Sequence, residues 1–110
     1  MALRPRLHDT QQPLVSILIF NYNYGRYLAE CLDSVLNQSY DNVEICFSDN
    51  CSTDDSWEIV LEYTKKYPHV FTVTCNRENF GVYANFRNCL TNVRGHYFVQ
   101  LCSDDYLHPD

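Results

Sequence analysis

The stretch Val15–Leu36, VSILIFNYNYGRYLAECLDSVL, decides the fold. Val15 to Phe20 is an apolar run of strand length, and a strand of that kind is buried on both faces rather than one. Asn21-Tyr22-Asn23-Tyr24-Gly25 breaks it with polar and turn-forming residues. Leu28, Cys31, Leu32, Val35 and Leu36 then recur at the three-and-four spacing of an amphipathic helix. A buried strand followed at once by a one-sided helix begins a β-α-β unit, because parallel neighbours need a crossover connection.

The pattern repeats downstream. Val43 to Phe47 reads as a second strand, and Ser52-Thr53-Asp54-Asp55 offers capping side chains ahead of a helical face made by Trp57, Val60, Leu61 and Thr64. Pro68 ends that helix, Val70 to Cys75 forms a third strand, and Val82, Phe86, Cys89, Leu90 and Val93 mark a third helix closed by Gly95. The fourth strand runs from Tyr97 to Leu101. Four strands alternating with three helices require right-handed crossovers and a parallel sheet. The expected fold class is therefore α/β: a doubly wound, mainly parallel, Rossmann-like sheet in a three-layer αβα arrangement. Residues 1–13 carry Pro5 and Pro13 and no periodicity, so they read as a flexible arm ahead of one domain over 14–110.

Charge and cysteine usage exclude several classes. Eight Lys and Arg against 14 Asp and Glu give a net charge of −6, and only Lys65-Lys66 are adjacent, so there is no electrostatic footprint for nucleic acid. The six cysteines, at 31, 46, 51, 75, 89 and 102, show no C-x-x-C spacing and mostly lie in apolar runs. Buried free thiols of a reducing compartment are expected, and with them a cytoplasmic location, membrane-associated in a longer protein. No apolar stretch approaches the roughly 20 residues of a membrane span.

Open α/β sheets bind ligands beyond the carboxyl ends of their strands. All four ends here are polar: Asn21 to Gly25, Ser48-Asp49-Asn50-Cys51-Ser52, Asn76-Arg77-Glu78-Asn79 and Ser103-Asp104-Asp105. A nucleoside diphosphate needs a flat surface and hydrogen bonds for its base, acceptors for its ribose and a cation for its phosphates. Tyr22 could stack on the base, Asp49 or Asn50 could meet a pyrimidine edge, Asp104 could hold ribose hydroxyls and Asp105 a metal. Adjacent carboxylates can equally be an ordinary turn, here before Pro109. There is no G-x-G-x-x-G and no P-loop, and His8, His69, His96 and His108 are scattered away from any nucleophile setting. A phosphotransfer domain would carry Asp directly after its first strand, where this chain has Asn21. A non-catalytic nucleotide-binding or interaction domain is the remaining alternative, although pure interaction would not need polar clusters at four strand ends.

Five segments carry a resemblance: VSILIFNYN at 15–23, YLAECLDSVLNQSY at 27–40, EICFSDNCSTD at 44–54, NFGVYANF at 79–86 and SDDYLHPD at 103–110. In this order, and on these strand ends, the chain resembles the family 2 glycosyltransferases of GT-A fold, in their N-terminal half. The resemblance implies transfer of a sugar, usually with inversion, from a nucleotide-diphospho-sugar, often UDP-linked, with Mg²⁺ or Mn²⁺. It matches Phe20 and Tyr22 to residues that embrace the base, the first by its backbone and the second by its ring. Asp49 and Asn50 match an acidic pair that reads the base, with Asn departing from the pattern at the second position. Ser52, Thr53 and Asp54 complete that motif, where capping is an equal role. Arg87 lies near a phosphate-facing position and reads as a solvated helix residue. Asp104 and Asp105 match a D-x-D type motif in which Cys102 replaces the first Asp, assigning Asp105 to the metal and Asp104 to the ribose or the metal shell.

The resemblance places the general base, a carboxylate, downstream of residue 110. This segment is therefore expected to bind nucleotide without turnover. The acceptor, whether saccharide, lipid or protein, is not legible. Uncovered surface on the fourth strand is expected to favour homodimerisation.

Overall fold

A computed structural model describes residues 12–105 and 107; the arm expected over 1–13 lies outside the described residues as far as residue 11. The elements are β1 (Val15–Asn21), α1 (Gly25–Leu36), β2 (Val43–Asp49), α2 (Ser56–Lys66), β3 (Phe71–Cys75), α3 (Val82–Thr91) and β4 (Tyr97–Cys102). They form one sheet in the order β3-β2-β1-β4. All three pairings are parallel, with Ile17 opposite Ile45 and Val99, and Ile45 opposite Phe71. The expected doubly wound α/β fold is the observed one.

Strand order explains where the helices lie. Two crossovers step from β1 to β2 to β3 in one direction, and the third returns past both to the far side of β1, so right-handedness puts its helix on the opposite face. Alternation along β1 shows the division. Ile17 and Ile19 pack with Ile45 and Phe47 against Leu28, Cys31, Leu32 and Val35 of α1 and Val60 of α2. Leu18 and Phe20 face the other way with Cys46, onto Cys89 and Phe86 of α3. The chain's winding reverses between β1 and β4, and the crevice beyond their carboxyl ends is where such sheets place a ligand.

Burial differs sharply between strands. Six of the seven residues in β1, and six of the seven in β2, are buried. In β4 only Leu101 is, while Tyr97, Phe98 and Val99 are 65, 47 and 43% exposed. β4 is thus an edge strand, bonded among the described residues to β1 alone. Cysteine placement also departs in part from expectation. All six thiols are free and Cys31, Cys46 and Cys89 are buried, but Cys75 is exposed because it ends the other edge strand.

At the amino ends of the strands a buried acid ties the sheet to the loop before β4. Glu44 is 2% exposed and accepts from Ser16 Oγ at 2.5 Å, Arg94 N–H at 2.7 Å and Arg94 Nε at 2.9 Å. Burial favours the neutral acid, but the Ser16 hydroxyl and the Arg94 amide and guanidinium outweigh it and hold the Glu44 carboxyl below its ordinary value. Gly95 must be glycine for room: a Cβ there would stand 2.6 Å from the Leu14 carbonyl oxygen and 2.6 Å from Ser16 Oγ.

Candidate functional site

Beyond the carboxyl ends of β1 and β2 the loops are stitched together by side chains. Asp49 is 1% exposed and its carboxylate accepts three bonds: Oδ1 from Asn21 Nδ2 and Ser52 Oγ, each at 2.7 Å, and Oδ2 from the Ser52 N–H at 2.8 Å. Asn23 repeats the device one layer out, its Oδ1 accepting the Thr53 N–H at 2.7 Å. Both loops turn through left-handed backbone, at Asn23 (φ 57°) and Cys51 (φ 64°). Asp54 accepts the Gly25 N–H at 2.9 Å through Oδ2, and the Ser56 N–H and Oγ at 3.0 and 2.5 Å through Oδ1. Burial works to raise its carboxyl, yet the bonds from the Ser56 hydroxyl and the Gly25 and Ser56 amides hold it below the ordinary value. Of the Ser52–Asp55 capping cluster, then, Asp54 bonds the first-turn Ser56 N–H, while Asp55 at the N-cap makes no side-chain capping bond.

A second network, not foreseen from the sequence, is built almost entirely of asparagine. Asn50 Oδ1 accepts the Phe80 N–H at 2.9 Å and Asn76 Nδ2 at 3.0 Å, and Asn50 Nδ2 donates to Asn79 Oδ1 at 2.7 Å. Asn88 Nδ2 donates to Asn76 Oδ1 at 2.8 Å and to Ser48 Oγ at 3.1 Å, and Ser48 Oγ donates to Asn85 Oδ1 at 2.7 Å. The available signal was the density of asparagine at 76, 79, 85, 88 and 92, with Asn85 and Asn88 at helical spacing on α3 and Asn92 at its C-cap. Buried amides demand partners, and each other's are the nearest.

These networks frame a cavity of about 180 Å³ lined by Phe20, Asn21, Tyr22, Asn50, Asn85 and Cys102, among others. Of the residues singled out in the sequence, Phe20, Tyr22 and Asn50 meet here; Asp49 lies beneath, holding the loop. Tyr22 is 43% exposed, so its ring is free to cover a ligand. Phe20 packs edge-on to Phe86, ring centroids 6.1 Å apart, and its carbonyl accepts the Ser103 N–H at 3.2 Å. The side-chain oxygens of Asn21 and Ser103 are buried and unpartnered. Arg87 is exposed on α3.

At the rim, Cys102, Asp104 and Asp105 are all exposed, and ligand atoms from the three lie within 4.8 Å of one another. Ligands around one divalent ion at roughly 2.0–2.6 Å are at most about 5 Å apart, so this set fits a single cation. The charge is felt inside the fold. The Cys31 thiol is pushed up to about 12 by burial and then by the Asp105 and Asp104 carboxylates, and burial and the same two charges raise the Cys102 thiol. A cation would relieve that accumulated negative potential.

The sequence profile of the family described as glycosyl transferase family 2 matches residues 16–110. The chain belongs to glycosyl transferase family 2. It is 39% identical over 98 residues to a chondroitin synthase of Escherichia coli, and 36% identical over 103 residues to a hyaluronan synthase of Pasteurella multocida. Those matches cover 89 and 94% of this chain but only 14 and 10% of the relatives, so the chain spans a small part of their length. Among solved structures, Staphylococcus aureus TarS 1-349 in complex with UDP superposes with a TM-score of 0.80 at 27% identity, over 87% of this chain and 29% of that one. A Pyrobaculum calidifontis mannosyltransferase with GDP-Man and Mn²⁺ gives a TM-score of 0.80 at 23% identity, a likeness of fold alone, over 86% of this chain and 28% of that one.

Proposed function

We propose that this chain is the nucleotide-sugar-binding part of an enzyme that transfers a sugar from a UDP-linked donor to an acceptor hydroxyl, with inversion at the anomeric carbon. The observation that carries the reading is the meeting of Phe20, Tyr22 and Asn50 with Cys102 around one cavity at the switch point of the sheet, with Asp104 and Asp105 next in the chain. Polysaccharide synthases among the relatives, and UDP in the TarS complex, support the product and nucleotide classes.

In this reading Tyr22 covers the face of the base and Asn50 meets its edge. Asp49 keeps the β1 and β2 loops in register, so the base meets a preformed surface rather than one it must order. Asp104 accepts from the ribose hydroxyls. Asp105, with Asp104 beside it, would hold Mg²⁺ or Mn²⁺, whose charge would stabilise the departing nucleoside diphosphate, while Cys102, a poor ligand for so hard a cation, stands next to them as a neutral thiol. The base that takes the acceptor's proton is assigned beyond residue 110, as the family resemblance implies, so these residues bind the donor without turning it over. A cytoplasmic location belongs to the same proposal; among the described residues no helix is long and apolar enough to cross a membrane.

Thermal unfolding with UDP, CDP and GDP, with and without Mn²⁺, tests the reading. A ligand that binds only the folded chain raises the midpoint, by about 2.7 kcal/mol of stability at a hundredfold excess over Kd. The expected result is a Mn²⁺-dependent rise with UDP that Asp105→Ala removes. No rise with any nucleotide at millimolar concentration would overturn it.

A further inference from the structure

The polar atoms of Asn50 are already partly committed, and the commitment fixes what it can offer a ligand. A backbone N–H can only donate, so the 2.9 Å bond from the Phe80 N–H identifies the Asn50 atom it meets as the carbonyl oxygen. That oxygen also accepts from Asn76 Nδ2 at 3.0 Å, which occupies both of its lone pairs. On the other side, Asn79 Oδ1 is identified in the same way by the Gly81 N–H at 3.0 Å, so the Asn50 atom facing it at 2.7 Å is the amino nitrogen. One of that nitrogen's two hydrogens is taken. Asn50 is 4% exposed, lines the cavity, and its side chain keeps a single uncommitted polar group, an N–H.

Its neighbour Asn85 shows the same polarity. Asn85 is 3% exposed, lines the cavity, and its Oδ1 accepts from both Ser48 Oγ at 2.7 Å and Asn76 Nδ2 at 3.2 Å, leaving its amino group as the part to be offered. The side of the cavity formed by Asn50 and Asn85 therefore donates. A carboxylate at position 50 would do the reverse, accepting from a ring N–H.

We infer that Asn50 is a specificity-determining residue that reads the nucleobase as a hydrogen-bond donor, directed at a carbonyl oxygen of a pyrimidine such as uracil, and not as an acceptor for its ring N–H. The inference rests on the nucleotide reading above and assigns its polarity at one residue. Uracil carries two carbonyl oxygens, either of which satisfies the donor without moving the clamp formed by Phe80, Asn76 and Asn79.

Calorimetric titration of the chain with UDP in the presence of Mn²⁺ tests it. Asn50→Asp removes the donor and sets a negative charge against the carbonyl, so UDP should bind about tenfold more weakly or worse. Asn79→Ala loosens the clamp but keeps the donor and should bind UDP within about threefold of the parent. In the unaltered chain, 2-thio-UDP and 4-thio-UDP replace each carbonyl oxygen in turn with a poor acceptor, and one of them should lose affinity severalfold; this arm needs no folded variant. The donor assignment is overturned if Asn50→Asp binds UDP as tightly as the parent or more so, if Asn79→Ala loses as much as Asn50→Asp, or if both thio analogues bind like UDP. Those outcomes leave the nucleotide reading standing. Absence of UDP binding to the parent chain overturns both.

Discussion

Asn21 donates from Nδ2 to Asp49 Oδ1 at 2.7 Å, across adjacent strand ends, with each side chain only 1% exposed. This pair locks the loop after β1 to the loop after β2, and the Ser52 N–H and hydroxyl complete the same carboxylate. Its consequence is that Asp49 supports the site from beneath. Asp49→Ala would take from the buried Asn21 amide its shorter bond, leaving only the 3.2 Å bond to Ser52 Oγ, and would leave the half-buried Ser52 N–H without its acceptor. The expected cost is about 2–4 kcal/mol, because buried donors left unmade carry their full desolvation penalty. Urea unfolding followed by circular dichroism measures it; a loss below 0.5 kcal/mol, as for a typical surface change, would refute the structural role.

Glu44 links stability to pH. Its folded carboxyl lies below the ordinary value of 4.5, so the folded state binds the proton less readily than the unfolded one. The contribution is therefore fully present above about pH 4.5 and is lost as pH falls through the folded value. Melting curves between pH 6 and pH 3 should fall more steeply for the parent than for Glu44→Gln, whose amide does not titrate. Parallel slopes would contradict the assignment.

Gly95→Ala places a methyl group against backbone, 2.6 Å from the Leu14 carbonyl and 3.0 Å from the Ser16 nitrogen, neither of which can swing aside. Overpacking of this kind typically costs about 1–3 kcal/mol. The expected readout is a melting midpoint lowered by several degrees, with Mn²⁺-dependent nucleotide binding retained at temperatures where the variant is folded. An unchanged midpoint would show that the β1 and β4 ends relax freely.

The outer side of β4 is unpaired among the described residues and carries exposed Tyr97, Phe98 and Val99. Such an edge invites pairing with another strand. Sedimentation velocity of this segment should show concentration-dependent association, and Val99→Lys should reduce it. Association that ignores the substitution would place the contact elsewhere.

Much of the site was legible because strand ends are punctuated by polar residues that a buried strand cannot contain. Tyr22 and Asn50 were singled out that way, and the structure brings both to the cavity that also receives Cys102. Asp49 looked equally available in the sequence. Only its three short bonds show that it holds the loops, one of them from Asn21, 28 residues away, and two from Ser52, three residues on. The asparagine network was missed for a related reason. Asn76, Asn79, Asn85 and Asn88 read as loop and helix-surface residues until the return of α3 across β2 lays them against Ser48 and Asn50.

Periodicity alone determined the alternation of strands and helices, and with it the parallel sheet, because a run apolar on both faces and a one-sided helix leave few other ways to bury their surfaces. What the tertiary structure decided was which of those strands is covered and which polar atoms remain uncommitted. Tyr97 to Leu101 is as apolar as Val15 to Phe20, yet it lies at the sheet edge, where one neighbour is absent among the described residues. Likewise, Asn50 can donate or accept in any sequence; the Phe80 and Gly81 backbone N–H groups, fixed by the loop, orient the clamp that leaves it only a donor to offer.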